Sequence, residues 1–341
     1  MPSIHDVAKM AGVSISTVSR VLNNSTNVSE KKKKAVLEAM EKLDYEPSQF
    51  GRGLVKQTTN LIGVYFPYTD CSIFDNEYYL ELLKGIEEIL TERQYGLVLI
   101  SENRHYQEST RMKPCFLEYI RQKRIDGLII SGLSEKNVKD NVLSSIMNDN
   151  YPAVYIGKKF HEKGLNIYAQ LELYSAQMIE NMIDHGHRKI IFLCTELMKR
   201  YEDNIRNTIY SKYSDITLKM IYLNRKNVLH KQIRDILEYD IIRDKYTAVC
   251  VPEMEVARIV ALTCHELGIS FPEHFSLLAV EHKPGSGEII YPGVTSYLVP
   301  SKEMGRGAAR LLLDNLQNRT CESTTIEYKT KYVKRKSIRH I

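Results

Sequence analysis

The sequence predicts two kinds of fold in one chain: an all-α helix-turn-helix headpiece at the N-terminus, then an α/β core of doubly wound lobes. Three observations carry this. Up to Tyr45 the apolar residues recur only at helical spacing, and from Leu61 onward short apolar runs alternate with amphipathic segments. At 341 residues the chain also has room for a small module plus larger lobes, each burying its own core.

In the first segment, Ser3 is placed to cap a helix, with Asp6 completing a Ser-x-x-Asp variant of the capping box and Ile4, Val7, Ala8 and Ala11 as the apolar face. Gly12 ends it. After the Gly12-Val13-Ser14 turn, Ser14 or Ser16 starts a second helix, SISTVSRVLN, whose Val18, Val21 and Leu22 keep helical spacing. Two helices joined by so short a glycine turn form a helix-turn-helix, here residues 4–23. In that motif the second helix enters the DNA major groove and offers its N-terminal residues to base edges. Arg20 can donate a bidentate pair to guanine, Ser16 can bond to several bases, and Ile15 suits a thymine methyl. Thr17 and Ser19 suit phosphates, and Ser14 and Asn23 flank the same surface. A small helical domain that packs on protein, with these polar residues merely solvated, is the alternative.

A third helix is expected from Ser29 through Val36, Leu37, Met40 and Leu43, ending before Tyr45 and Pro47. Lys31 to Lys34 lie in its first turns, where cations oppose the helix dipole, and they read either as phosphate contacts or as a solvated face. Asn27 and Val28 would face the same DNA edge. The next segment, PSQFGRGLVKQ, holds two glycines, each lowering helix stability by about 1 kcal/mol relative to alanine. It is either a plain linker or a hinge that becomes helical on DNA, with Leu54 as a minor-groove wedge and Arg52 near phosphate.

Beyond it, LIGVYF, EYYLELLKGIEEILTER, GLVLI and IDGLIIS set a βαβ rhythm. It resumes at KIIFLC, LKMIYL, TAVCV, FSLLAV and VTSYLVP and closes with the helix SKEMGRGAARLLLDNL. Such alternation implies parallel sheets covered on both faces, with ligands at the carboxyl ends of the strands.

Composition narrows the function classes. No run of 18 apolar residues is present, and Asp6 and Lys9 stand where a signal peptide would be apolar, so a cytoplasmic protein with no membrane partner is expected. The six cysteines, Cys71, Cys115, Cys194, Cys250, Cys264 and Cys321, form no CxxC pair and read as reduced thiols. His187 has no second histidine or cysteine at ligand spacing, so no metal or other cofactor is expected. Without a Ser-His-Asp, Cys-His or paired-carboxylate arrangement, the chain does not read as an enzyme. A net charge of +5 permits nucleic-acid binding without requiring it.

The stretch SIHDVAKMAGVSISTVSRVLNNSTNVSEKKKKAVLEAMEKLDYEPSQFGRGL resembles the DNA-binding headpiece and hinge of the lactose repressor (LacI/GalR) family, matching its D-V-A-x-x-A-G-V-S-x-x-T-V-S-R-V-L-N core without a gap. RIDGLII, DHGHRKIIFL, LGISFPEHFSLLAV and VTSYLVPSKEMGRGAARLLL resemble, in the same order, its periplasmic-binding-protein-like core of two lobes around a small ligand. The resemblance implies a homodimer on a pseudo-palindromic operator, with Ile15, Ser16 and Arg20 at base-reading positions and Leu54 at the intercalating one. Gly51 and Gly53 stand where helix formers are usual in the hinge. It further implies a headpiece at 1–46, a hinge at 47–58 and a core at 59–341, the N-lobe taking about 59–158 and 292–320 and the C-lobe about 159–291 and 321–341.

For the effector pocket, Arg206 keeps the family's sugar-binding arginine, although Ile209 replaces the glycine before Tyr210. Glu253 and Met254 stand for the family's Asn-Asp, and Ala279, Val280, Glu281 and His282 for its Gly-Phe-Asp-Asp, while Gln170 and Leu171 replace an Asp-Asn. The expected effector contacts are Arg206, Glu253 and Glu281, toward a small sugar or sugar derivative. Control by a protein corepressor, or by no ligand, is the alternative, and a solute-binding protein of the same fold the third reading.

Overall fold

The structure is a computed structural model that describes residues 2–22, 27–45, 58–66, 72–101, 115–131, 146, 151–157, 164–169, 171–194, 202–224, 229–318 and 323–341. It divides into two compact units, Met1–Leu61 with Tyr119–Asp126, and Ile62–Glu118 with Gly127–Ile341. Asn23, the hinge residues Arg52 and Leu54, Gln170, Cys71 and Cys321 lie outside the described residues.

The first unit holds α1 (Ile4–Ala11), α2 (Ile15–Leu22) and α3 (Glu30–Lys42). The α1 capping box is complete: the Asp6 carboxylate accepts from the Ser3 backbone N–H at 2.8 Å, and the Ser3 side chain accepts from the Asp6 N–H. Gly12 adopts φ 64°, a left-handed conformation that costs a side-chain-bearing residue strain, and so turns the chain after one residue. Val7, Ala8, Val18, Val21, Val36 and Ala39 interlock as the headpiece core. Leu37, expected on the apolar face of α3, is 51% exposed. The buried stripe runs Val36, Ala39, Met40 and Leu43, and Leu37 falls about 100° to its side. Where the chain leaves this unit, the Asp126 carboxylate accepts from the backbone N–H groups of Thr59 at 2.7 Å and Asn60 at 2.8 Å.

The second unit consists of two six-stranded sheets. The N-lobe sheet has the order β11-β5-β4-β3-β1-β2, built from β1 (Leu61–Phe66), β2 (Gly96–Ser101), β3 (Gly127–Ser131), β4 (Ala153–Ile156), β5 (Leu165–Tyr168) and β11 (Thr324–Glu327). The C-lobe sheet has the order β12-β10-β9-β8-β6-β7, from β6 (Lys189–Cys194), β7 (Thr217–Tyr222), β8 (Ala248–Val251), β9 (Ser276–Glu281), β10 (Thr295–Leu298) and β12 (Lys331–Val333). The described ladders are parallel except for β10 with β12. The buried strands read as continuous apolar runs because helices cover both faces. Those that concern the site are α4 (Glu77–Glu92), α5 (Phe116–Arg121), α6 (Leu171–Asp184), α7 (Glu202–Tyr210), α8 (Leu229–Ile236), α9 (Met254–Leu267) and α10 (Ser301–Asn318).

The crossovers between lobes fall later than the resemblance implied. Leu165–Tyr168 pairs with β4 and stays in the N-lobe, Thr295–Leu298 pairs with β9 and stays in the C-lobe, and Thr324–Glu327 returns to the N-lobe beside β5. Thus residues 165–168 and 324–327 are not C-lobe, and 295–298 are not N-lobe. Strand pairing, which periodicity does not encode, decides membership. Helix α10 then packs on α4 at van der Waals contact. A Cβ at Gly85 would come within 2.0 Å of the Lys302 carbonyl oxygen, and one at Gly305 within 2.2 Å of that of Leu82, so close backbone packing offsets the helix cost of both glycines.

Candidate nucleic-acid interface and inter-lobe site

The helix α2 divides cleanly into two sides. Val18 and Val21 are buried, whereas Ser14, Ile15, Ser16 and Arg20 are exposed and Thr17 and Ser19 half-buried. Ser14, rather than Ser16, opens the helix: its Oγ accepts from the Thr17 backbone N–H at 3.2 Å and lies 2.8 Å from Ser16 Oγ and 2.9 Å from Thr17 Oγ1. Three hydroxyls thus gather at a helix N-terminus, where the dipole favours anions. Ile15 is 41% exposed, an apolar side chain the headpiece leaves uncovered. Asn27 is exposed. Val28, expected at the same DNA edge, is half-buried, one side of it packed on the headpiece core. Lys31, Lys32 and Lys34 are exposed and Lys33 half-buried.

In the second unit, contacts join the carboxyl ends of strands in both lobes. Arg206, on α7, is paired within the C-lobe: its Nε donates to Glu202 Oε1 at 2.7 Å, and the Tyr222 hydroxyl donates to the other oxygen of Glu202. Burial works against its charge, but the Glu202 hydrogen bond and carboxylate prevail and hold the guanidinium above its ordinary value. The nearby Cys194 thiol is pushed up to about 12 by burial and by Glu202.

Glu281 is fully buried. Its oxygens accept from Arg335 at 2.8 and 3.2 Å and from Ser296 Oγ at 2.5 Å. Burial alone would raise its carboxyl, yet the Arg335 and Ser296 hydrogen bonds hold it below the usual range. Both of its oxygens are thus engaged by the chain's own side chains. Glu253 occupies the N-cap position of α9 just beyond β8, with extended backbone and no side-chain capping bond.

Sequence reading missed the groups that bridge the lobes. Tyr78, on the first turn of α4, sets its ring edge-on to His282 with centroids 5.2 Å apart, and Glu77 Oε1 lies 3.8 Å from Arg258 Nη2 of α9. His282 is buried, its Nδ1 lies 2.9 Å from Ser301 Oγ, and burial lowers its imidazole to about 4. Burial pushes the Tyr78 phenol up to about 12, with Ser131 at the end of β3 beside it. The only available signal was position: a helix start following β1, which on its own reads as ordinary dipole complementation. His187, considered for metal, has its nitrogens 2.9 Å from Thr247 Oγ1 and 2.9 Å from Ser276 Oγ, tying together the starts of β8 and β9. Among the described residues no helix is long and apolar enough to cross a membrane.

A helix-turn-helix module followed by a two-lobed α/β sensor core defines a class, the DNA-binding transcriptional regulators with a binding-protein-like core. The family described as bacterial regulatory proteins, lacI family, matches residues 3–48; periplasmic binding proteins and sugar binding domain of LacI family matches 59–205; and periplasmic binding protein-like domain matches 179–338. The chain is 27% identical to catabolite control protein A of Priestia megaterium, covering 95% of this chain and 96% of that one. It is also 27% identical to the HTH-type transcriptional repressor PurR of Mannheimia succiniciproducens, over 100% of both. A crystal structure of the lac repressor dimer bound to operator and the anti-inducer ONPF shares the fold at a TM-score of 0.79 and 20% identity, covering 99% of each chain. The chain belongs to the LacI family and is a DNA-binding transcriptional regulator, not an enzyme.

Proposed function

We propose that this regulator represses transcription in the cytoplasm by binding a pseudo-palindromic operator as a homodimer, with affinity set by a small sugar-like effector between its lobes. The observation that carries the DNA half is the division of α2, whose valines are buried while Ser14, Ile15 and Ser16 at its start and Arg20 in its last turn are exposed. Arg20, Ser16 and Ile15 read bases, and Ser14, Thr17, Ser19, Asn23 and Asn27 bond to phosphates or flank them. Val28, half-buried beside Asn27, flanks the same edge. On the family's pattern, Arg52 and Leu54 contact the operator centre. Selection of bound genomic fragments with the purified protein tests this reading: enrichment of a two-fold symmetric site supports it, and recovery of no preferred sequence overturns it.

Dimerisation is supported by large apolar side chains left on the C-lobe surface: Leu262 is 58% exposed, Ile289 76% and Tyr291 92%. A Tyr291→Asp variant should sediment as a monomer. If it remains dimeric, Tyr291 is not at the interface.

For the effector, Arg206 and Glu253 at the strand ends are the proposed contacts, and Glu281 joins them only in a state that has released Arg335. Because Arg206 and Glu281 are already neutralised by Glu202 and Arg335, control by a protein corepressor, or by no ligand, is the second reading. A thermal-shift screen of sugars and sugar phosphates separates the two, since a true ligand at 100 times its Kd stabilises by about 2.7 kcal/mol.

A further inference from the structure

Glu77 is the first residue of α4, but it does not cap that helix. Asn76 does so, its Oδ1 accepting from the backbone N–H groups of Tyr78 at 2.9 Å and Tyr79 at 3.4 Å. The Glu77 carboxylate points instead to the C-lobe. Burial raises its carboxyl above the usual range, while Arg258 of α9, 3.8 Å away, and the neighbouring backbone of His282 and Lys283 work to keep it charged. Beside it, Tyr78 packs on His282, whose Nδ1 meets Ser301 Oγ where the chain re-enters the N-lobe as α10.

The same carboxylate is held imperfectly. Its Oε2 is buried with no hydrogen bond, and Glu81, one turn along α4 and itself buried, repels it. A buried acceptor left unbonded is a standing penalty, so the contact is strong enough to bias the lobes yet easily exchanged.

We infer that Glu77 is an inter-lobe latch: the chain's own carboxylate, paired with Arg258 beside the His282–Lys283 backbone, holds the lobes together without a ligand between them. This does not depend on the identity, or the existence, of the proposed effector. It makes lobe closure a property built into α4 rather than one supplied only from outside.

Hydrogen exchange on the full chain, without added ligand, tests it. In Glu77→Gln the amides of His282 and Lys283 should exchange about fivefold faster, the factor a half-exposed ion pair supports, while the β8 amides and the melting temperature stay as in the parent. Arg258→Met should give a similar acceleration, and the double variant should be no worse than either single one, because both remove one contact. Unchanged exchange at His282 and Lys283 in both single variants, or fully additive effects in the double, overturns the latch. Retained β8 protection excludes a general loss of folding as the cause.

Discussion

The headpiece and the inter-lobe seam use polar residues in opposite ways. On α2 the polar groups stand outward on a short helix, satisfied at most by one another, as Ser14, Ser16 and Thr17 are, and so remain available to a nucleic acid. In the core, charge is matched internally: Arg206 by Glu202, Glu281 by Arg335 and Glu77 by Arg258. A recognition surface can be built from one local helix, whereas a sensor must first hold its own lobes and then yield to something else. Substitutions should therefore separate the two regions, damaging stability in one and recognition in the other.

The largest effect is expected at Arg335. Replacing it with methionine strands the fully buried Glu281 without its cation and should cost about 3 to 5 kcal/mol in core stability by denaturant unfolding. The contrasting Arg206→Met, at a pair that is about one-third exposed, should cost under about 1 kcal/mol. Comparable losses at the two sites would dissolve the distinction drawn between them.

Acid should probe the same core next. His187 and His282 are both buried and lowered from 6.5 to about 4, by desolvation first. Between those values the unfolded chain takes up protons that the folded chain refuses. Stability is thus full above about pH 6.5 and falls as pH drops toward 4, by up to about 3 kcal/mol per histidine. Melts from pH 7.5 to 4.5 of the parent and of His187→Asn test this: the variant should show a shallower decline, and an equal slope would remove His187 from the account.

In the headpiece the expected loss moves from stability to recognition. Arg20→Ala should weaken operator binding by about 1 to 3 kcal/mol and relax the preference at one base pair per half-site, with no change in melting temperature. Uniform weakening on every sequence would make Arg20 a phosphate contact instead.

These regions also differ in how far the sequence exposed them. The α1 capping box, the glycine turn and the Val18/Val21 face follow from neighbouring residues, so Ser3, Asp6, Gly12 and both helices were legible. Leu37 was misplaced because the packing of three helices, and not periodicity alone, selects the buried stripe. In the core every strand noted in the sequence formed, yet lobe membership of 165–168, 295–298 and 324–327 rests on hydrogen bonds to distant strands. The Tyr78–His282 contact joins residues some two hundred positions apart, and no local spacing announces it.

The smallest effect is expected at Ser14, and it tests whether the headpiece hydroxyls serve the fold or only the DNA. Ser14 Oγ accepts from the Thr17 backbone N–H, one of the donors that the helix itself leaves unsatisfied. Ser14→Ala should therefore cost about 1 kcal/mol of headpiece stability, and Ser14→Gly a few tenths, because glycine admits water to the same donors. Ser16→Ala removes a hydroxyl that bonds only to Ser14 here, and should leave stability unchanged while altering operator affinity. Equal destabilisation by both alanines would mean that the whole hydroxyl cluster is structural, and recognition would then rest on Arg20 and Ile15.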